Sequence, residues 1–261
     1  MTGASTGTQP ISTMSLLSDA LRRLRANPGL VAAFVLAGSV VAGVDYLRAR
    51  SPVPATEYSK FQTSDVNLAF EILVSVLPRN ALAPSALVGL KPRWLLVTVG
   101  LELFAFVTVV VTCVYALGEL LDTDPSSGAL ARYGVLLAVI RAGVPNLTFS
   151  GGAIIIGLPL LIAALYVVVS LVALPGRLVL GESLLRALRR SWAQTAGYGW
   201  SLFGVVFVLG LATDLLAGLT LVGPIGTAAV AAVHAGVVAS FIQRVDSSDG
   251  TATDAPNATP A

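Results

Sequence analysis

Apolar positions along this chain come in long runs separated by short polar breaks, and six of the runs have a length that crosses a bilayer. They cover residues 29–47, 94–117, 131–148, 153–175, 198–218 and 223–242. A crossing helix needs ~20 mostly apolar residues, so the pattern predicts an all-α, polytopic bundle of about six transmembrane helices. The second run, "WLLVTVGLELFAFVTVVVTCVYAL", and the fourth, "AIIIGLPLLIAALYVVVSLVAL", are the clearest. The third is interrupted by Arg141, and the fifth and sixth are joined by "TLVGPIG", whose Gly and Pro suit a tight hairpin.

Two stretches carry a helical rather than a continuous apolar period. The tetrapeptide "ALRR" occurs at 20–23 and again at 187–190, each time six to eight residues before an apolar run. Around the first, Leu17, Leu21 and Leu24 share a face opposed by Asp19, Arg22 and Arg23. Around the second, spanning 178–194, Leu178, Leu185, Leu188 and Trp192 line up beside Leu184, with Glu182, Arg186, Arg189 and Gln194 on the remainder. The i,i+4 spacing predicts the pairs Asp19–Arg23 and Glu182–Arg186. A helix with one apolar face and arginine on the other lies in the membrane interface, where its cations reach anionic headgroups. Arg22, Arg23, Arg25, Arg186, Arg189 and Arg190 are therefore the candidate lipid-headgroup residues. The copies are compatible with a tandem duplication and equally with two independent interfacial helices.

The remaining segments are less regular. Residues 1–14 and 246–261 have few apolar side chains to bury and are expected to be disordered, leaving 15–245 as the helical domain. Segment 48–93 contains "LAFEILVSVL" and "ALAPSALVGL", neither long enough to cross alone. It reads as an extramembrane cap or a re-entrant hairpin, the cap being favoured.

Composition strengthens the membrane reading. Of the 261 residues 55% are hydrophobic and 11% charged, with a mean hydropathy of +0.83. A soluble domain carries ~25% charged residues. The net charge of +2 gives no reason to expect a nucleic-acid partner. Cys113, the single cysteine, can form no intrachain disulfide. Lys and Arg near the run ends set orientation. Arg22, Arg23, Arg25, Arg177, Arg186, Arg189, Arg190 and Arg244 fall on one side if both termini are cytoplasmic, while Arg48, Arg50, Lys60, Arg79, Lys91 and Arg93 oppose that assignment. The expected location is the cell membrane. The run at 29–47 is too long for the core of a cleaved signal.

Taken together, "LRRLRANPGLVAAFVL" and "LPGRLVLGESLLRALRRSWAQTAGYGWSLFGVVFVL" resemble a family of prokaryotic multi-pass proteins, with archaeal members, related to the membrane domain of glycerophosphoryl diester phosphodiesterases. The resemblance covers residues 15–245 and implies a six-helix membrane domain marked by Pro175, an amphipathic Glu182–Trp192 helix and Ser191. The phosphodiesterase chemistry does not carry over, because the chain has one histidine and no carboxylate–histidine cluster.

Ionisable groups inside apolar runs are functional suspects. Glu102, Arg141, Asp214 and His234 qualify. Glu102 and Arg141 come at compatible depth and are expected to form an ion pair stapling two helices. His234, among Ala and Gly, reads as a packing histidine, with a proton relay as the sharper alternative. Asp214 is near a run end, where it faces water. No phosphate loop, serine elbow, dinucleotide fingerprint or metal-ligand spacing is present, so no cofactor, no metal and no catalytic residue is assigned. "NLT" at 146–148 and "NAT" at 257–259 are glycosylation sequons. Three functions fit: a non-enzymatic protein associating with membrane lipids or other membrane proteins, a transporter of a small solute, and, behind both, a lipid-acting enzyme. A transporter predicts Glu102, Arg141 and His234 around a central polar cavity; a scaffold predicts them paired and packed.

Overall fold

The computed structural model of the protein describes residues 11–53, 56–57, 61–62, 65–67, 74–76, 80–81, 90–143, 148–150, 154–217, 219 and 223–253. It is an all-α bundle. The helices are α1 (Thr13–Ala26), α2 (Pro28–Ala49), α3 (Pro92–Leu120), α4 (Ser127–Gly143), α5 (Ile154–Ser170), α6 (Leu174–Val179), α7 (Leu184–Thr195), α8 (Gly199–Ala217) and α9 (Gly223–Thr253). Strand pairing is confined to two short antiparallel ladders. β1 (Thr56–Glu57) pairs with β4 (Asn80–Ala81), and β3 (Asp65–Asn67) lies between β2 (Phe61–Gln62) and β5 (Thr148–Ser150).

Among the described residues, five stretches are long and apolar enough to cross a membrane: Pro28–Ala49, Pro92–Leu120, Ile162–Val179, Gly199–Ala217 and Gly223–Ser248. The protein is a helical membrane protein. The expected third crossing corresponds to α4, whose apolar part, Ser127–Ile140, is shorter than the rest. At 1.5 Å per residue it rises ~21 Å, less than the ~30 Å hydrocarbon layer. Arg141 follows directly and ends the apolar stretch. Among the described residues there are thus five crossing candidates and the shorter apolar stretch of α4, where the pattern predicts about six crossings, the third the weakest.

Helix boundaries follow local chemistry. Ser12 opens α1: its Oγ accepts from the Ser15 amide at 3.2 Å, and Ser15 Oγ accepts from the Ser12 amide at 3.1 Å, a reciprocal N-terminal cap. Order therefore begins before residue 14. Pro28 stands in the first turn of α2, where its missing N–H costs nothing. The expected continuous helix over 178–194 is split instead. Gly181, at φ +89°, turns the chain between α6 and α7, a backbone conformation natural to glycine. Leu178 consequently falls in α6, fully buried, and does not join the α7 face.

Helix α9 is the hub, packing against α1, α2, α3, α6 and α8. Small residues permit this. A Cβ at Gly38 of α2 would come within 2.8 Å of Ala228 Cβ, and one at Gly236 within 2.9 Å of Ala20 Cβ. Close helix approach over small residues is how membrane helices associate without a hydrophobic driving force between them. Around that contact lies one apolar core including Phe34, Val41, Cys113, Leu117, Leu202, Val238 and Phe241. The described residues 74–76 of the long connection join it. Val74 and Val76 are fully buried, and Tyr133 Oη donates to the Val74 carbonyl at 2.5 Å. These residues of 48–93 pack directly against the core.

The bundle has two chemically distinct ends. At one, called proximal here, gather α1, α6, α7 and the last turns of α9. At the other, distal end, α2 finishes and α3 begins.

Candidate interfacial site at the proximal end

The two "ALRR" helices meet the same end of the bundle. In α1, Leu16, Ala20 and Leu24 are buried, against α9 and α8. Polar contacts fix it there. Arg244 of α9 donates to Ser15 Oγ at 3.1 Å and pairs with Asp19. Arg23 donates to Gln243, whose own Nε2 donates to the Leu120 carbonyl at the end of α3, 3.0 Å away. Thr13 Oγ1 donates to the Ser201 carbonyl at 2.8 Å, and Ser201 Oγ to the Ile11 carbonyl at 2.9 Å. Asp19 also holds Arg22, so the expected Asp19–Arg23 pair is replaced by Asp19–Arg22 and Asp19–Arg244. Arg22 and Arg25 face outward.

Helix α7 docks differently. Its buried residues are Ala187, Ser191, Gln194 and Thr195. Ser191 Oγ and Thr195 Oγ1 both donate to the carbonyl of Ser170, at 2.9 and 3.3 Å. Ser170 ends α5, and the last carbonyls of a helix have no partner within it. The polar strip of α7 thus caps α5. Advancing ~100° per residue, α7 divides into three sectors. The docked strip comes first, an apolar sector of Leu184, Leu185, Leu188 and Trp192 beside it, and Arg186, Arg189 and Arg190 beyond. The apolar sector stays exposed, Leu185 at 70%. Trp192 meets Tyr166, an exposed residue of α5, in a T-shaped contact with centroids 5.4 Å apart. A leucine–tryptophan sector beside an arginine sector, both facing out, is the arrangement of an interfacial helix.

Behind the helix a charge network joins three elements. Arg177 of α6 is 2% exposed. Its Nε donates to Gln194 Oε1 at 3.0 Å and its Nη2 to Asp246 Oδ1 at 2.5 Å. Glu182 lies ahead of α7, 2.9 Å from Arg190 and 3.8 Å from Arg177; it serves these cations in place of Arg186. Gln194 Nε2 donates to Asp246 Oδ1 at 3.1 Å. Asp246 is thereby part of the fold. The pattern ends order at Val245, but α9 continues to Thr253, with Arg177, Arg190 and Gln194 holding its first extra residue.

The intramembrane suspects are dispersed. Glu102 pairs with Arg48, which also donates to Asp45 at 3.1 Å. Asp45 and Arg48 are buried, at the distal end. The side chain of Arg141 lies outside the described residues, as does Asn146 of the first sequon and all of the second. His234 of α9 is buried beside a cavity of about 20 Å³ lined also by Thr213, Gly210 and Val230, room for about one water. Asp214 is half-buried near the end of α8. Among the described residues, no three or more His, Cys, Asp or Glu gather where a metal ion could sit.

Arg177, Asp246 and Arg48 are among the polar residues whose partners the sequence did not reveal. Arg177 and Asp246 are 69 positions apart, and no periodicity reports a pair of that separation. Asp45 and Arg48 gave a local signal in their i,i+3 spacing. Comparison with family models, with curated proteins and with solved structures gives no match to this chain.

Proposed function

We propose that the protein is a non-enzymatic component of the cell membrane that associates with lipid through its proximal end, both termini being cytoplasmic. The observation that carries this reading is the exposed Leu184–Leu185–Leu188–Trp192 sector of α7, beside exposed Arg186 and Arg189. Because Ala187, Ser191, Gln194 and Thr195 do the docking, the apolar sector is left to the acyl region and the arginines to headgroups. The orientation is supported by the clustering of Arg22, Arg23, Arg25, Arg177, Arg186, Arg189, Arg190 and Arg244 around one end. The resemblance to the membrane domains of glycerophosphoryl diester phosphodiesterases points to the same lipid setting and supplies no catalytic residue.

The transporter reading draws on His234 and its small cavity. Against it, Glu102 is engaged by Arg48 at the distal end and does not join His234 around a common space. Reconstituting the full chain into liposomes separates the two. Lipid association predicts enrichment of phosphatidylglycerol over phosphatidylcholine in the shell that co-purifies with the protein, reduced severalfold by Arg186→Gln with Arg189→Gln, and no solute uptake above empty vesicles. Uptake abolished by Glu102→Gln or His234→Gln would replace this reading with a transporter.

A further inference from the structure

A second space bordering described residues is at the distal end, away from α7. A groove of about 290 Å³ runs between the end of α2 and the start of α3, lined by Leu47, Arg48, Val53, Trp94, Thr98 and Leu101 among others. Its walls are mostly apolar. The one buried cation in it, Arg48, is already engaged by Asp45 and Glu102, so the depth of the groove presents no free charge to a hydrocarbon chain. Its two flanks are different. Arg50, itself a lining residue, has its guanidinium 4.3 Å from the centre of the Tyr46 ring. On the α3 side Arg93 lies 5.7 Å from the centre of the Trp94 ring. Each arginine is braced against an aromatic face, Arg50 just past α2 and Arg93 in the first turn of α3, next to the lining residue Trp94, and Lys91 adds a third exposed cation. Around this end the described side chains supply Arg48, Arg50, Lys91 and Arg93 against Asp45, Glu102 and Asp214, a small excess of positive charge. Glu102 sits level with Arg48, and Trp94, eight residues earlier, is ~12 Å further out along α3. The groove therefore descends from a cationic, tryptophan-marked rim, typical of the headgroup zone, to a depth where Leu101 and Thr98 stand beside the paired Arg48.

We propose that this groove binds one anionic phospholipid, its phosphate between Arg50 and Arg93 and part of one acyl chain along Trp94, Thr98 and Leu101. The volume is at the lower end of the ~300–1,000 Å³ of small-molecule sites, which fits a stretch of chain with the rest of the lipid in the bilayer. The site is independent of α7, and its failure would leave the proximal reading untouched.

Trp94 reports directly on occupancy. Of the chain's three tryptophans, Trp192→Phe and Trp200→Phe leave it alone in the full-length protein, reconstituted in nanodiscs. Phosphatidylglycerol with brominated chains should quench Trp94 at an at least ~fivefold lower mole fraction than brominated phosphatidylcholine, as about 1 kcal/mol per surface cation implies. Arg50→Gln with Arg93→Gln should remove the preference while quenching by phosphatidylcholine and the far-ultraviolet spectrum stay as they were. Thr98→Leu, which keeps both arginines and narrows the floor, should weaken quenching by both lipids. Equal quenching in the parent protein, a preference that survives the loss of both arginines, or an unchanged response in Thr98→Leu would overturn the proposal. Release of the brominated lipid by inorganic phosphate would also overturn it, in favour of a phosphate site.

Discussion

Helices α1 and α7 share "ALRR", yet they bury opposite kinds of surface. Aligned on the tetrapeptide, the same positions dock: Ala20 and Ala187 are fully buried, as are or nearly are Leu24 and Ser191. Leu21 and Leu188 are both partly exposed, and Arg22 and Arg189 both face out. What differs is the filling of the docked strip. In α1 it is leucine, and the helix is packed into the apolar core beside α9. In α7 it is serine, threonine and glutamine, which cap α5 and bridge Arg177 to Asp246, while the leucines and Trp192 turn outward. An amphipathic pattern therefore identifies the two faces of a helix without saying which one the protein keeps. In a membrane protein the apolar face has two possible destinations, since lipid accepts it as readily as a core does.

That contrast can be broken or sharpened by substitution, with unfolding of the purified protein followed in detergent. The largest loss is expected where α7 meets α9. Asp246→Ala leaves the buried Arg177 guanidinium without its 2.5 Å partner, and breaking a buried pair costs ~3–5 kcal/mol; Asp246 is 37% exposed, which puts the expected loss at the lower end. Next comes the apolar strip of α1. Leu24→Ala should cost ~2–4 kcal/mol as a core truncation, whereas Leu185→Ala in α7 should stay within ~0.5 kcal/mol, as surface changes do. Equal losses would mean that the leucines of α7 are packed after all. Ser191→Ala removes one of the two hydroxyls on the Ser170 carbonyl, with an expected cost of ~1 kcal/mol. Thr195 remains to cap the helix, so adding Thr195→Val should deepen the loss by more than either change alone. Smallest of all, Arg189→Gln should leave the unfolding midpoint unchanged and lower only the retention of phosphatidylglycerol, measured by lipid analysis of the purified protein.

Several features were legible from periodicity and composition. Runs of apolar residues identified the helices at 28–49, 92–120 and 199–217 to within three positions, and the start but not the end of 223–253, because the bilayer sets a length that few other folds demand. Arg141 marked the weak third run, and the apolar stretch of α4 is indeed shorter than the five crossing candidates. The Pro175–Trp192 region was legible as amphipathic, but not its division at Gly181, since a helical period continues numerically across a break. Candidate ion pairs fared differently. Asp19, Glu102 and Glu182 were each recognisable as residues needing a partner, yet their cations, Arg244, Arg48 and Arg190, could not be chosen from spacing or depth. The i,i+4 rule selects neighbours on one helix, while these carboxylates are satisfied largely across helices or turns, where the cost of an unpaired charge is greatest.

By itself, the sequence determined the solvent of this protein and the material of its helices. Too few charges to cover a water-facing surface, and runs of bilayer length, leave a helical membrane bundle as the outcome, and two basic amphipathic stretches mark membrane entries. Only the tertiary structure decided which face each stretch buries, which carboxylate answers which arginine, and that α2 and α3 part at the distal end around a groove. The reason is physical. Hydropathy and period are properties of a segment, whereas capping the Ser170 carbonyl, neutralising Arg177 or fitting Ala20 against Gly236 requires groups that meet only once the bundle has closed.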